Sequence, residues 1–300
     1  MGEISHANVL DSDADSPYSF HITDTYFHQA EQTEISGPMS TYTVNASILL
    51  TEVAILRRPS AVADAGFTAA EFWWPFPGAV PSDSDVDAFV GAVQDAGLQL
   101  SGLNFFAGDM AAGDRGLVSW VGRESEFADN VDVVAGIGER LGCRAFNALY
   151  GLRPDDVATA AADELAATNL HLAADRIAGI GGTVLLEPVS GSPTYPLKTA
   201  ADVITVIERV GADNIRLLAD FYHLAVNGDD VAAVIAEHAA DFGHIQIADD
   251  PGRGQPGTGT LPLADWLAAA TAGGYDGYVG LEYKDSTDDP FGWLPRDQRS

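Results

Sequence analysis

From residue 43 onward the chain keeps one rhythm. Short apolar runs at 43–49, 68–72, 98–104, 144–149, 183–187, 215–219, 243–248 and 278–282 alternate with helical patterns at 51–65, 83–96, 124–141, 156–180, 197–211, 229–240 and 262–272. Strand-length runs separated by helices fold as parallel strands joined by right-handed crossovers. Glycines close several helices just before the next strand, as in ADAGF, QDAGL, GERLGC and ATAGGYDGY. A doubly wound sheet would announce its first strand with a phosphate-binding loop, but TVNASILLTEV holds neither G-x-G-x-x-G nor a Walker sequence. The count of eight favours an α/β architecture closed on itself, a single (β/α)₈ barrel. The expected layout is a loose, polar leader over 1–42, one barrel domain over 43–284, and a short tail over 285–300. Met39, just before the first strand, is an alternative start of translation, and His21 and His28 fall in the leader.

Composition narrows the chemistry. Forty-four acidic residues face fifteen basic ones, for a net charge of −29. Such a surface repels phosphate backbones, which argues against nucleic-acid binding. The acids are dispersed through alanine- and valine-rich helices such as DDVATAAADELAATNLHLAADRIAGI. This reads as adaptation to a very salty cytoplasm, where salt screens the self-repulsion. No run of 18 apolar residues and no basic n-region followed by an apolar stretch occurs, so neither a membrane span nor an ordinary secretory signal is expected. The single cysteine, Cys143, excludes an internal disulfide and a thiolate zinc cluster; it is expected to pack at a helix-to-strand junction.

In a (β/α)₈ barrel the site lies at the carboxyl ends of the strands. Glu71 ends the second run and Asn104 the third, Asn147 lies on the fourth, and Glu187 ends the fifth. Asp220 and His223 follow the sixth, His244 and Gln246 lie on the seventh, and Glu282 ends the eighth. Polar groups at one end of nearly every strand would be costly to bury without partners. Glu187, Asp220, Gln246 and Glu282, on four consecutive strands, make a set of hard oxygen ligands suited to one divalent cation, Mg²⁺ or Mn²⁺. The cation would also relieve the repulsion among three converging carboxylates. His223 and His244 could add a nitrogen ligand or orient a ligand from behind.

The segments NASILLTEV, AEFWWPF, NFFAGDMAAGDRGLVSWVGRESEF, LLEPVS, DFYHLA, HIQIADDPGRGQPGTG and YDGYVGLEYK run through nearly all of 43–284. In these segments the sequence resembles the hydroxypyruvate isomerase family, within the xylose-isomerase-like group of sugar isomerases and epimerases. The resemblance implies a TIM barrel with the divalent metal on Glu187, Asp220, Gln246 and Glu282. It also implies that Glu187 and Glu282 are the catalytic acid–base pair. The reaction so implied interconverts hydroxypyruvate and tartronate semialdehyde through an enediolate. A 2-oxo sugar-acid isomerase or a ketose 3-epimerase is the alternative, and a non-enzymatic barrel a remoter one. Glu71, Asn104, His223 and His244 are candidate substrate-binding groups. Arg253, in the loop after the seventh strand, and Arg123, in the long loop after the third, are candidate counter-charges for a substrate carboxylate. The aromatics Phe72, Trp73, Trp74 and Phe76 could wall the pocket or meet a second subunit, so a homo-oligomer is possible. The expected partner is a small hydroxy-keto acid or sugar, with no nucleic acid and no membrane.

Overall fold

The structure, a computed structural model, describes residues 41–153, 156–285, 287 and 289–299. The expected leader, with Met39, His21 and His28, lies outside the described residues apart from Thr41 and Tyr42, which begin the first strand. Eight parallel strands close into a barrel in sequence order: β1 (Thr41–Asn45), β2 (Ala69–Phe72), β3 (Gln99–Asn104), β4 (Ala145–Asn147), β5 (Thr183–Leu186), β6 (Ile215–Asp220), β7 (Phe242–Ile247) and β8 (Tyr278–Leu281). Closure comes from β8 against β1, with Tyr42 opposite Val279 and Val44 opposite Leu281. The strands are buried along nearly their whole length, as parallel strands covered by helices must be.

The outer ring is α1 (Arg58–Asp64), α2 (Asp83–Asp95), α3 (Glu124–Leu141), α4 (Thr159–Ala178), α5 (Ala200–Val210), α6 (Phe221–Asn227), α7 (Val231–His238) and α8 (Leu263–Ala272). Local chemistry sets several of their limits. Ser82 caps α2 by accepting from the Asp85 N–H, and Thr199 with Asp202 forms a capping box on α5. Gly142 and Gly211 end α3 and α5 in the left-handed region, at φ 70° and 69°. Helix α3 buries Phe127, Val131, Val134 and Ile137, and α4 buries Ala166, Leu170, Ala173 and Ile177. Cys143 is fully buried where α3 gives way to β4, as its neighbours suggested.

Three boundaries differ from the sequence reading. The first strand stops at Asn45, because the Asn45 side chain accepts the Ser47 N–H and turns the chain. The helix expected over 51–65 is a 3₁₀ turn (Ile55–Arg57) leading into α1, with Pro59 in the first helical turn. Helix α6 was not foreseen. Its seven residues follow β6 without a loop, so FYHLAVN extends an apolar run and hides the change of period.

Candidate active site

Asp220 is both the last residue of β6 and the N-cap of α6. Its Oδ1 accepts the backbone N–H groups of Tyr222 (2.9 Å) and His223 (3.1 Å), which fixes the carboxylate and turns Oδ2 towards the barrel mouth. The helix turn also brings the His223 ring back over β5 and β6. His223 Nε2 lies 3.6 Å from Asp220 Oδ2 and 3.7 Å from Glu187 Oε1. Ligand-capable atoms of Glu187, Asp220 and His223 all fall within 4.8 Å of one another.

The other ring nitrogen settles the tautomer. His223 Nδ1 accepts the Ser190 backbone N–H at 3.1 Å, with Ser190 Oγ at 2.7 Å. A nitrogen that accepts an amide N–H carries no proton, so the neutral ring is protonated at Nε2. Burial pushes His223 down to about 4, which keeps it neutral near pH 7.

Glu187 and Glu282 close the cluster. Burial, reinforced by Asp220, pushes Glu187 up to about 8, against the Asn147 amide, which donates to its Oε2 at 2.7 Å. Burial likewise holds Glu282 well above the usual carboxylate range, although Arg253 opposes it. Arg253 Nη2 lies 2.8 Å from Glu282 Oε1 and 3.3 Å from Asp220 Oδ2, and its Nε donates to the Glu282 carbonyl at 3.2 Å. Burial works against the guanidinium, but Glu282, Asp220 and Glu187 outweigh it and keep Arg253 charged. Trp73 Nε1 donates to the same Glu282 oxygen at 3.2 Å.

A second polar group lies beside this one. Glu71, on β2, takes the amides of Asn45 (3.0 Å) and Gln246 (2.7 Å) on Oε1, and His244 Nε2 lies 2.6 Å from its Oε2. These residues line a cavity with Asn104 and Asn147. Gln246 Oε1 and Asn147 Oδ1 are buried with no protein partner. A buried carbonyl oxygen left free in this way calls for a cation, a water or a ligand hydroxyl. The free Gln246 oxygen, carried opposite Asp220 on the neighbouring strand, suits a hard divalent cation.

The structure therefore brings Glu187, Asp220, His223, Glu282 and Arg253 into one cluster, with Gln246, His244, Glu71 and Asn104 alongside. Arg123 is engaged elsewhere. It pairs with Glu126 at 2.6 and 2.7 Å, lies 3.7 Å from Asp114, and stacks over Trp120. Of the aromatic segment, Trp73 touches the cluster, Phe72 packs on Phe89 behind the barrel wall, and Trp74 donates to the Gly78 carbonyl. Sequence reasoning missed Asn45, because the first apolar run extends to residue 49 and hides the end of the strand. It also missed Ser190, whose loop position carried no periodic signal.

The parallel eight-stranded barrel, the Glu187, Asp220 and His223 grouping at its carboxyl end and the relatives named next together mark a metal-dependent isomerase acting on sugars or hydroxy acids. A family model described as xylose isomerase-like TIM barrel matches residues 59–299, and the chain belongs to that family. It is 50% identical over 271 residues to a putative hydroxypyruvate isomerase of Streptomyces coelicolor, covering 86% of this chain and 97% of the relative. It is 34% identical over 261 residues to a 2-oxo-tetronate isomerase of Cupriavidus necator, covering 85% and 98%. Among solved structures, an AP endonuclease of family 2 from Brucella melitensis superposes with a TM-score of 0.78 at 31% identity, covering 85% of this chain and 98% of that one. The chain is thus closely related to hydroxypyruvate and 2-oxo-tetronate isomerases.

Proposed function

We propose that the enzyme interconverts hydroxypyruvate and tartronate semialdehyde, with Glu187, Asp220, Gln246 and Glu282 holding one Mg²⁺ or Mn²⁺. The observation that carries this reading is the partnerless, buried Gln246 oxygen on the strand next to the grouped Glu187, Asp220 and His223. The 50% identity to a putative hydroxypyruvate isomerase supports the substrate.

A proton must leave C3 of hydroxypyruvate, and another must reach C2, by way of an enediolate. Glu187 and Glu282, carboxylates at the ends of β5 and β8, would take up and return that proton. A divalent cation on these ligands supplies polarisation of the substrate oxygens, which acidifies the C3 hydrogen. His223 donates its Nε2 proton to a substrate oxygen, as its tautomer dictates. Arg253 faces the substrate carboxylate from the β7 loop. Asn147 presents its free Oδ1 to a substrate hydroxyl. Trp73 fixes Glu282 and limits water on that side.

The 2-oxo-tetronate isomerase of Cupriavidus necator favours a second reading, in which a four-carbon acid occupies the same site. Cleavage of DNA fits poorly with a net charge of −29. The deciding experiment is turnover of hydroxypyruvate in high salt, with metal stripped and then Mg²⁺ or Mn²⁺ restored, beside Glu282→Gln. Activity that returns with metal and is lost in the variant supports the reading. Folded, metal-bound protein that leaves hydroxypyruvate unchanged but isomerises 2-oxo-tetronate moves the assignment to the longer acid.

A further inference from the structure

A side-chain amide can offer a cation its oxygen or its nitrogen, and only the oxygen binds. The two ends of Gln246 have nearly the same shape, so packing alone does not choose between them. The neighbours of Glu71 do. Asn45 accepts the Ser47 backbone N–H on Oδ1 at 3.1 Å, so its Nδ2 must be the end that meets Glu71 Oε1 at 3.0 Å. Glu71 Oε1 is thereby an acceptor, and Gln246 Nε2 donates to it at 2.7 Å. Turning the Gln246 amide over would set its carbonyl oxygen against a carboxylate oxygen, with two acceptors in contact and no proton between them.

The barrel makes room for this contact. At Gly280 of β8, an added Cβ would lie 2.8 Å from Gln246 Cγ and 2.8 Å from Glu71 Oε1. At Gly102 of β3 it would lie 3.2 Å from Glu71 Cβ. Glycines on β3 and β8 thus leave the Glu71 carboxylate the width it needs. The register shift between Ala70 and Glu71 places Glu71 opposite Gly102. His244, 2.6 Å from Oε2, holds the far oxygen.

We infer that Glu71 is a positioning residue: it orients the Gln246 amide so that Oε1 faces the cation site, and it takes no part in binding substrate. This rests on the metal reading above and assigns Glu71 a task that reading leaves open. Partners that orient metal ligands from behind typically change metal affinity by about tenfold to hundredfold when removed.

The test is calorimetric titration of the full-length, metal-stripped protein with Mn²⁺, in four forms: wild type, Glu71→Leu, Gln246→Glu, and the double variant. Leucine fills much of the same space but accepts no hydrogen bond. A carboxylate at position 246 has oxygen at both ends and cannot be turned the wrong way. Glu71→Leu should therefore weaken Mn²⁺ binding about tenfold to hundredfold when residue 246 is glutamine. It should not weaken it when residue 246 is glutamate, where removing the facing like charge also helps. Equal weakening in both backgrounds would show that Glu71 acts through its charge or through barrel packing, and would overturn the inference. Wild-type affinity in Glu71→Leu would overturn it too. Wild-type protein that binds no Mn²⁺ would instead sink the metal reading itself. If Glu71→Leu does not fold, Glu71→Asp withdraws the same acceptor by one methylene, and wild-type affinity in that folded variant counts equally against the inference.

Discussion

Asp220 divides its two oxygens between two tasks: one caps a helix, and the other faces the cluster. His223 divides its two nitrogens in the same way, one fastened to the Ser190 backbone and one turned inward with its proton. That tautomer makes a prediction at the level of single residues. His223→Asn should lower kcat/KM for the substrate about tenfold to hundredfold while leaving Mn²⁺ affinity nearly unchanged. Asp220→Asn should weaken both. A loss of Mn²⁺ affinity in His223→Asn matching that in Asp220→Asn would make the histidine a ligand instead. The acids give a pH dependence whose sign is fixed. With Glu187 raised to about 8 and Glu282 raised as well, the metal-free native state holds more protons than the unfolded chain from the ordinary carboxylate range up to about pH 8. Stability of the stripped protein should therefore fall as pH rises from about 6.5 to about 8. Within that window His223 contributes no slope, because its depressed value matters only below the ordinary imidazole range. Thermal melts with and without Mn²⁺ check this: the midpoint should fall with pH without metal, and metal should raise it most at the alkaline end.

At the scale of elements, the loop after β7 is built on one side chain. Asp249 is buried, and its two oxygens accept the backbone N–H groups of Asp250, Gly257, Gly259 and Leu261, at 2.9 to 3.0 Å. Asp249 and Gly254 also exchange backbone hydrogen bonds, and Arg253 sits between them at φ 59°, its carbonyl held by the Lys284 N–H. Replacing Asp249 with alanine should free the loop and misplace the guanidinium, costing about a hundredfold in kcat/KM. Far-ultraviolet circular dichroism should stay native, since the barrel strands are untouched. The sequence showed a glycine- and proline-rich loop with one arginine, but not which of two adjacent aspartates organised it. More broadly, what repeats in the chain was readable. Strand and helix periods exposed the barrel, and their phase placed Glu187, Asp220, Gln246 and Glu282 at one end. Contacts between distant strands carried no period. The Glu71 pairing with His244 and Gln246, across more than 170 positions, needed the closed barrel before it could be recognised. Arg123 was a candidate for the site, yet GRESEF could also simply start a helix. In the structure it packs beside the start of α3, against Glu126 and Trp120.

Across the whole molecule the two faces of the barrel differ. The carboxyl end carries the acids, while the chain's last described segment returns to the amino-terminal end. There Phe291 packs edge-on to Phe67, Trp293 reaches Tyr42, and Arg299 donates to the Ala65 carbonyl. Phe291→Ala should cost about 3 kcal/mol in chemical denaturation while leaving Mn²⁺ affinity as it was. A net charge of −29 on 300 residues also sets the solution conditions. The melting midpoint should climb steeply from dilute buffer into molar KCl as screening relieves the self-repulsion, and a flat salt response would count against that account. The position of the tail matters for anyone handling the protein. With the last described residues led to the floor of the barrel, a surface or fusion partner joined beyond Arg299 would leave the mouth facing solution, so tethered enzyme should turn over substrate at the rate of free enzyme.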